Sequence, residues 1–516
     1  MLTGGQTDKG ESVEARQEPS AGQKSAASVR GDGRALTRAP IMPLEPRVRV
    51  EFHSKESLDR LQKATLDVLE KVGVKFPSDK AIDILGEHGA HIDRATQIVK
   101  FPPDLVMKAM ASAPRSFVFG ARDPSCDLLL DGRRTYSCTD GSGVEVVDWE
   151  TRQRHVSTKR DLAAISRLVD YLPGLSFWWP TVSAGDHGKT AQLHELDAGW
   201  NNTVKHLQGM VMGEREARYA VEMATVVAGG GEELRRRPVL SDLIGTISPL
   251  LQDKAGIEAA LVFAEAGVPI CFVTMPTMGT TAPATDAGAY IVGSAEMVSA
   301  TVLVQLAFPG APVQHAMFET KADPRNGRVM TAPLNDHSPF MGTALAHHWG
   351  VPSMGGFGGT DAEAAADWQG AVEMTQALVL AAFDGCETMT GFGLRNVYTL
   401  FWPEGMLLDE DLYERVAWRL RDIAIDEEAL ALDVIGAVGP GGHYLGQAHT
   451  RAHMREAAIP AITQQLAADG HYRDAVEVAR ERAERILREY EPEPLADDKR
   501  AELTRILAAA DAELRG

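Results

Sequence analysis

Apolar residues recur at helical spacing between Ser57 and Val72 (Leu58, Leu61, Leu66, Val68, Leu69), and Asp79–His88 repeats the pattern. FPPDLVMKAMASAP predicts a third short helix, with Pro102 and Pro103 near its first turn, where a missing amide hydrogen costs nothing. Three strand-like runs follow: SFVFGA, CDLLLDG and GVEVVDW. From about residue 155 helical stretches alternate with short apolar runs. DLAAISRLVDYL leads to LSFWWPTV, HELDAGWNNTV to KHLQGMVM and EARYAVEMATVVAG to VLSDLIGTI, and the alternation continues to CETMTGFG. Gly then Val-Pro joins helix to strand at Gly267–Pro269 and Gly350–Pro352. Glycine closes the helix, and proline opens the strand where no ladder donor is lost. Seven or eight such units predict an α/β fold, a (β/α)₈ barrel of TIM type. A doubly wound open sheet has the same order of elements, and strand count does not separate the two.

The expected organisation is a disordered leader over 1–45, an α+β region over 46–154, the barrel core over 155–404 and a helical region over 405–516. The leader is too polar to pack. The last two amphipathic stretches, DAVEVARERAERIL and DKRAELTRILAAADAEL, read as a hairpin of helices.

The chain has 516 residues, 44% of them hydrophobic, enough for a large core. Its net charge of −20 argues against a nucleic-acid partner, because phosphate binding needs a basic face. Cys126, Cys138, Cys271 and Cys386 form no CxxC pair, which points away from a disulfide framework and towards a reducing cytoplasm. No run of eighteen apolar residues occurs, so no membrane span is expected.

Barrel enzymes carry their chemistry at the C-terminal ends of the strands. Candidate positions there include Trp178 and Trp179, Lys205, His206 and Gln208, His315, Glu387 and Phe392. Each has a plainer reading. The indoles also suit barrel packing, the histidines suit satisfied core positions, and Asp361 suits a helix cap. Glu387 in an apolar strand needs a partner or a task, because a lone buried carboxylate is costly. The glycines of GGFGGTD, Gly355 to Asp361, allow close backbone approach by a ligand. His449 and His453 are four apart, as zinc ligands are, but no HExxH glutamate lies between them, and no metal is expected.

Several blocks together resemble the trimethylamine methyltransferase family of corrinoid-dependent enzymes. They are NNTVKHLQG (Asn202–Gly209), SPLLQD (Ser248–Asp253), Gly279–Val313, GVPSMGGFGGTDAEAAADWQ (Gly350–Gln369), LDEDL (Leu408–Leu412) and GPGGHYLGQAHTRAHMRE (Gly439–Glu456). The resemblance runs from about residue 50 to 515 and departs at Met389–Glu404, where Tyr398, Phe401 and Trp402 stand in one loop.

The family's founding activity uses pyrrolysine, and none occurs here. The resemblance therefore implies the branch that demethylates betaines and related quaternary amines. Such an enzyme holds no tight cofactor and meets the corrinoid (cobalamin) of a separate corrinoid-binding protein. Expected roles are catalytic for Asp361, Glu387 and His206, and substrate binding for Trp178, Trp179, His315, Phe392 and Trp402. Gly355, Gly356, Gly358, Gly359 and Thr360 are expected to face the corrinoid. The expected partners are that protein and a small methylated amine, in a homo-oligomer. A barrel lyase using Asp361 and Glu387 as an acid–base pair and a non-catalytic amine-binding protein remain open at this point.

Overall fold

The computed structural model describes residues 36–331, 338–356 and 359–514. Most of the expected leader, and Gly358, lie outside the described residues.

Eight parallel strands close on themselves. They are β1 (Tyr136–Thr139), β2 (Phe177–Trp178), β3 (His206–Gly209), β4 (Leu240–Ile247), β5 (Ile270–Thr274), β6 (Val313–Met317), β7 (Ser353–Gly356) and β8 (Thr388–Phe392). Each pairs with the next, from Leu207 opposite Trp178 round to Thr388 opposite Tyr136. The Ser176 amide donates to the Ser137 carbonyl at 2.7 Å and seals the seam between β1 and β2. A helix follows each strand: α1 (Lys159–Tyr171), α2 (Ala191–Asn202), α3 (Glu214–Ala228), α4 (Lys254–Ala266), α5 (Asp286–Ala307), α6 (Ser338–Trp349), α7 (Trp368–Asp384) and α8 (Pro403–Arg419). This is the (β/α)₈ barrel, and the open-sheet alternative falls away.

The barrel starts earlier than residue 155. Its first strand, YSCT, lies in the region expected to precede it. Ser137 and Thr139 break the apolar run, so periodicity alone passes it over. GVEVVDW instead supplies Glu145–Val147, which pairs antiparallel with Arg154–Val156 on the loop after β1. SFVFGA and CDLLLDG form an antiparallel hairpin, Phe117–Phe119 with Leu128–Leu130. It inserts Phe119, Leu128 and Leu130 among the inward side chains Tyr136 and Phe177, at the N-terminal end of the barrel.

Helix α5 is apolar nearly all round because it is covered on both sides. It lies on β5 and is overlaid by the N-terminal helices Lys55–Lys71 and Pro103–Met110. Among the described residues it is the one helix long and apolar enough to cross a membrane, and 78% of its apolar window is buried within the fold. The C-terminal helices α9 (Ala475–Glu489) and α10 (Asp497–Leu514) dock separately: α9 packs on α8 and α1, α10 on α3 and α2. The segment Ala431–Ile459 is a unit of its own, containing the helices Leu432–Val438 and Ala448–His453.

Candidate active site

Along a strand, alternate side chains face the barrel interior. On β1 and β2 these are Tyr136, Cys138, Phe177 and Trp179, which share one interior cluster with Leu243, Cys271, Val273, Ala316 and Met354. The same alternation turns Asp140, Gln208 and Thr390 inward. Asp140, Trp179, Gln208 and Thr390 thus form the top layer on four neighbouring strands, β8, β1, β2 and β3, at the C-terminal mouth.

Asp140 is 5% exposed. Its Oδ1 accepts the Thr390 hydroxyl at 3.1 Å and the Gly141 amide at 3.2 Å. Its Oδ2 has no hydrogen-bond partner among the described residues, nor have Trp179 Nε1 and both amide atoms of Gln208. Buried polar atoms are rarely left so, and a row of them marks a place for a ligand or water. Burial pushes the Asp140 carboxyl up to about 7, against the pull of its Thr390 and Gly141 hydrogen bonds. Arg395, a cation that acts on it, is committed to Asp409 at 2.8 Å.

Two glycines allow this arrangement. A Cβ on Gly141 would lie 2.4 Å from the Trp179 indole, so the ring rests against bare backbone. A Cβ on Gly359 would lie 2.6 Å from the Tyr398 ring and 3.2 Å from Asp140 Oδ2. Residue 359 thus meets both the Tyr398 ring and Asp140 Oδ2, and any side chain there would clash with the ring. The turn carrying it is strained: Asn396, Val397 and Tyr398 have φ of 52°, 55° and 62°. Left-handed backbone at a β-branched residue persists only where its surroundings impose it, and such strain clusters at functional sites. Here the Asn396 and Val397 amides are pinned to the carbonyls of Ala362 and Thr360 at 2.8 and 3.2 Å.

The expected site residues divide by position. Trp179 lies in the mouth. Trp178 points outward, its Nε1 donating to Ser166 of α1 at 2.8 Å. Phe392 also packs outward, 5.6 Å from Tyr413 of α8. His315 faces α5, bonded to Thr301 at 2.8 Å, and burial pushes it down to about 3. Trp402 donates to the Glu363 carbonyl at 3.2 Å and lies under Arg152 at 5.8 Å. A four-ring cage of Trp178, Trp179, Phe392 and Trp402 therefore does not form: Trp178 and Trp179 are successive and face opposite sides, an irregularity between Met389 and Phe392 breaks the alternation of β8, and Trp402 stands at the start of α8.

His206 and Glu387 stand at the N-terminal end of the barrel, away from the mouth. His206 stacks on Phe119 at 4.1 Å, bonds the Gly120 carbonyl and Ser241, and is pushed by burial down to about 3. Glu387 accepts the Ser353 amide at 2.7 Å and pairs with His347 at 3.0 Å. Asp361 is at the mouth but caps no helix. Its Oδ1 takes the Thr331 hydroxyl at 2.5 Å, tying the loop after β6 to the loop after β7. The cap of α7 is Asp367, which accepts the Gly370 amide at 2.7 Å. Asp361 and Glu387 thus stand at opposite ends of the barrel, which removes the geometry an acid–base pair needs. The glycine run is also not an open cradle among its described members. Gly355 faces Cys386, with 3.0 Å from an added Cβ to Sγ. Gly356 faces the interior, Gly359 lies under Tyr398, and the buried Thr360 donates to Glu373 at 2.5 Å.

The Glu387–His347 pair makes a stability prediction. Burial lowers the His347 affinity for protons, but Glu387 overrides it and leaves the imidazole raised above 6.5. A raised folded-state value contributes stability below 6.5 that is lost as pH rises through that value. Glu387→Gln should therefore cost more stability near about pH 6 than near about pH 8 in urea titrations, with methyl transfer preserved. Equal losses at both pH values would refute the linkage.

Comparison with known proteins gives the family. The trimethylamine methyltransferase (MTTB) family pattern matches residues 20–514. The chain belongs to that family. It is 33% identical to trimethylamine methyltransferase MttB of Desulfitobacterium hafniense (strain DSM 10664 / DCB-2) over 473 residues, 89% of this chain and 94% of the relative. It is 26% identical to a glycine betaine methyltransferase of Desulfitobacterium hafniense (strain Y51), over 89% of this chain and 97% of that one. Among solved structures, the monomethylamine methyltransferase MtmB of Methanosarcina barkeri aligns at a TM-score of 0.45 and 10% identity, covering 93% of this chain and 89% of that one.

The sequence reading passes over Asp140. It stands in TDGSG, which reads as a turn after a strand too polar to notice. A single carboxylate between a short strand and two glycines was the available signal.

Proposed function

We propose that the protein is a methyltransferase that takes a methyl group from a quaternary amine, glycine betaine or a relative, and delivers it to the corrinoid of a partner protein. The observation that carries this reading is the buried Asp140 carboxylate, beside the Trp179 indole and Gly359 and without a cation of its own. A buried carboxylate next to aromatic faces suits a cation that cannot donate a hydrogen bond. The inward positions Gly245, Ala316 and Gly356 are small, and a Cβ on Gly245 would meet nothing closer than Val273 at 4.0 Å. The centre of the mouth therefore has room for a group approaching from outside.

The corrinoid supplies a nucleophilic cobalt. The chain's own residues bind and orient. Ionised Asp140 attracts the ammonium, Trp179 and Tyr398 desolvate it, and the Gln208 amide and Trp179 N–H face its polar end. The carbon–nitrogen bond breaks with its electron pair staying on nitrogen, and a neutral tertiary amine leaves. No proton has to move, so orientation and water exclusion suffice. In this reading the enzyme is cytoplasmic and homo-oligomeric and works with a corrinoid-binding protein.

Purified protein mixed with Co(I) cobalamin and a panel of methylated amines tests this. Quaternary amines should change the cobalt absorbance, and trimethylamine should not, since the sequence has no pyrrolysine. Turnover of trimethylamine alone would overturn the reading. Tight binding of quaternary amines without turnover would favour the non-catalytic binder.

A further inference from the structure

A single aromatic face leaves the far side of an ammonium to water, and Trp179 offers such a face from one side of the mouth. β2 and β6 are four strands apart in a closed barrel of eight, so their ends stand on opposite sides of the axis. Trp179 is the first residue past β2, and Phe318 is the first residue past β6. Ala316 of β6 belongs to the interior cluster, and alternation turns Phe318, two residues on, the same way. Phe318 is half-buried and packs against that cluster, which also holds Trp179 and Val273. Met210, two residues past Gln208, packs there as well, its sulfur accepting the Ser142 hydroxyl at 3.1 Å.

Both rings stand on fixed backbone. The Phe318 amide donates to the Thr274 carbonyl at 3.0 Å, and the Thr320 amide donates to the Pro276 carbonyl at 3.1 Å. Thr277 and Met278 then pair in parallel with Thr320 and Lys321. The ladder between β5 and β6 thus runs on past the barrel and carries Phe318 within it. Across the mouth, the Trp179 carbonyl accepts the Thr139 hydroxyl at 2.8 Å. Groups placed by strands are held more precisely than groups on free loops. Between the two rings the inward positions Gly245, Ala316 and Gly356 are too short to fill the gap.

We propose that Phe318 is the second aromatic wall of the ammonium site and a determinant of its specificity, an inference that rests on the quaternary-amine reading above. Its ring closes on the N-methyl groups from the side opposite Trp179, while Asp140 supplies the charge. An aromatic face attracts a cation through its quadrupole and has no such attraction for a neutral group of the same shape. A ring that merely packs the interior would contribute bulk alone. The two roles therefore separate on the electron density of the ring.

Calorimetry on the full-length protein with tetramethylammonium and with glycine betaine tests this. Phe318→Leu keeps apolar bulk and removes the ring face. It should weaken both ligands by about five- to thirty-fold with unchanged circular dichroism. Phe318→4-fluorophenylalanine, then the difluoro and trifluoro rings, keep the shape and drain the face of charge, so they fold even if the leucine variant does not. Affinity should fall step by step along that series. Affinity that ignores fluorination, or an unchanged Phe318→Leu variant, reduces Phe318 to packing and overturns the proposal. A wild type that binds neither ligand overturns it together with the quaternary-amine reading. Co(I) methylation tells the two apart. A wild type that shows the fluorination trend but leaves cobalt unmethylated keeps the wall and loses the methyltransferase. Methylation without the trend keeps the methyltransferase and loses the wall.

Discussion

Asp140→Asn is expected to weaken quaternary-amine binding at about pH 8 by roughly thirty-fold or more. Removing one member of a buried charge pair costs about 2–5 kcal/mol, and about 2 kcal/mol already corresponds to thirty-fold. The substitution keeps the size of the side chain, so the barrel should fold. Its second consequence concerns pH. Burial raises the wild-type carboxyl to about 7. Below that value Asp140 is protonated and offers no charge to an ammonium. Affinity should therefore rise as pH climbs through about 7, and binding should release a proton. The Asn variant should show a flat profile. Calorimetry in buffers of different ionisation enthalpy measures both effects. Unchanged affinity in the variant, or a flat wild-type profile, would remove Asp140 from the cation site.

Lys205→Met is expected to be among the most destabilising single changes in the chain, with methyl transfer per folded molecule preserved. Lys205 is 1% exposed. Its ammonium closes the C-terminal end of α1, donating to the carbonyls of Val169 at 2.6 Å, Leu172 at 2.8 Å and Leu175. Methionine matches the stem and removes every donor. Three buried carbonyls then lose a partner at about 1–3 kcal/mol each, and a net loss of about 3–5 kcal/mol remains after the gain in apolar packing. That is a large share of the roughly 5–15 kcal/mol that holds a protein folded. Burial pushes Lys205 down to about 8 from 10.5. In that window the unfolded chain binds more protons than the folded one. Wild-type stability gains a contribution as pH rises from about 8 to 10.5, and the variant should lack it. Urea unfolding measures both. A loss under about 1 kcal/mol would show that the carbonyls find water instead.

Much of the barrel was legible because its helices and strands have different periods and because glycine and proline mark their joints. What escaped was position around the barrel. Trp178 and Trp179 are adjacent, and adjacency on a strand means opposite faces, yet residue type drew both into one imagined cage. Glu387 drew notice because a carboxylate in an apolar strand needs a reason. The reason is His347 and the Ser353 amide, at the N-terminal end of the barrel. Asp361 was weighed between cap and site, and the answer is a tie between loops, because α7 begins seven residues later at Trp368. Tyr398 reads as part of an aromatic loop, but its place against Gly359 depends on three left-handed residues that no propensity predicts.

The seam of the barrel also bears on how the molecule comes to exist. β1 is held on one side by β2 and on the other by β8, and Asp140 meets Thr390 across 250 residues of sequence. A ribosome releases β1 long before its second neighbour. Until the last strand arrives, the growing sheet has two bare edges, each able to pair with another nascent chain. Contacts so distant along the chain close slowly. Cutting the gene near residue 155 would not separate two domains; it would take one stave from a cask and leave the other seven unable to hold their shape.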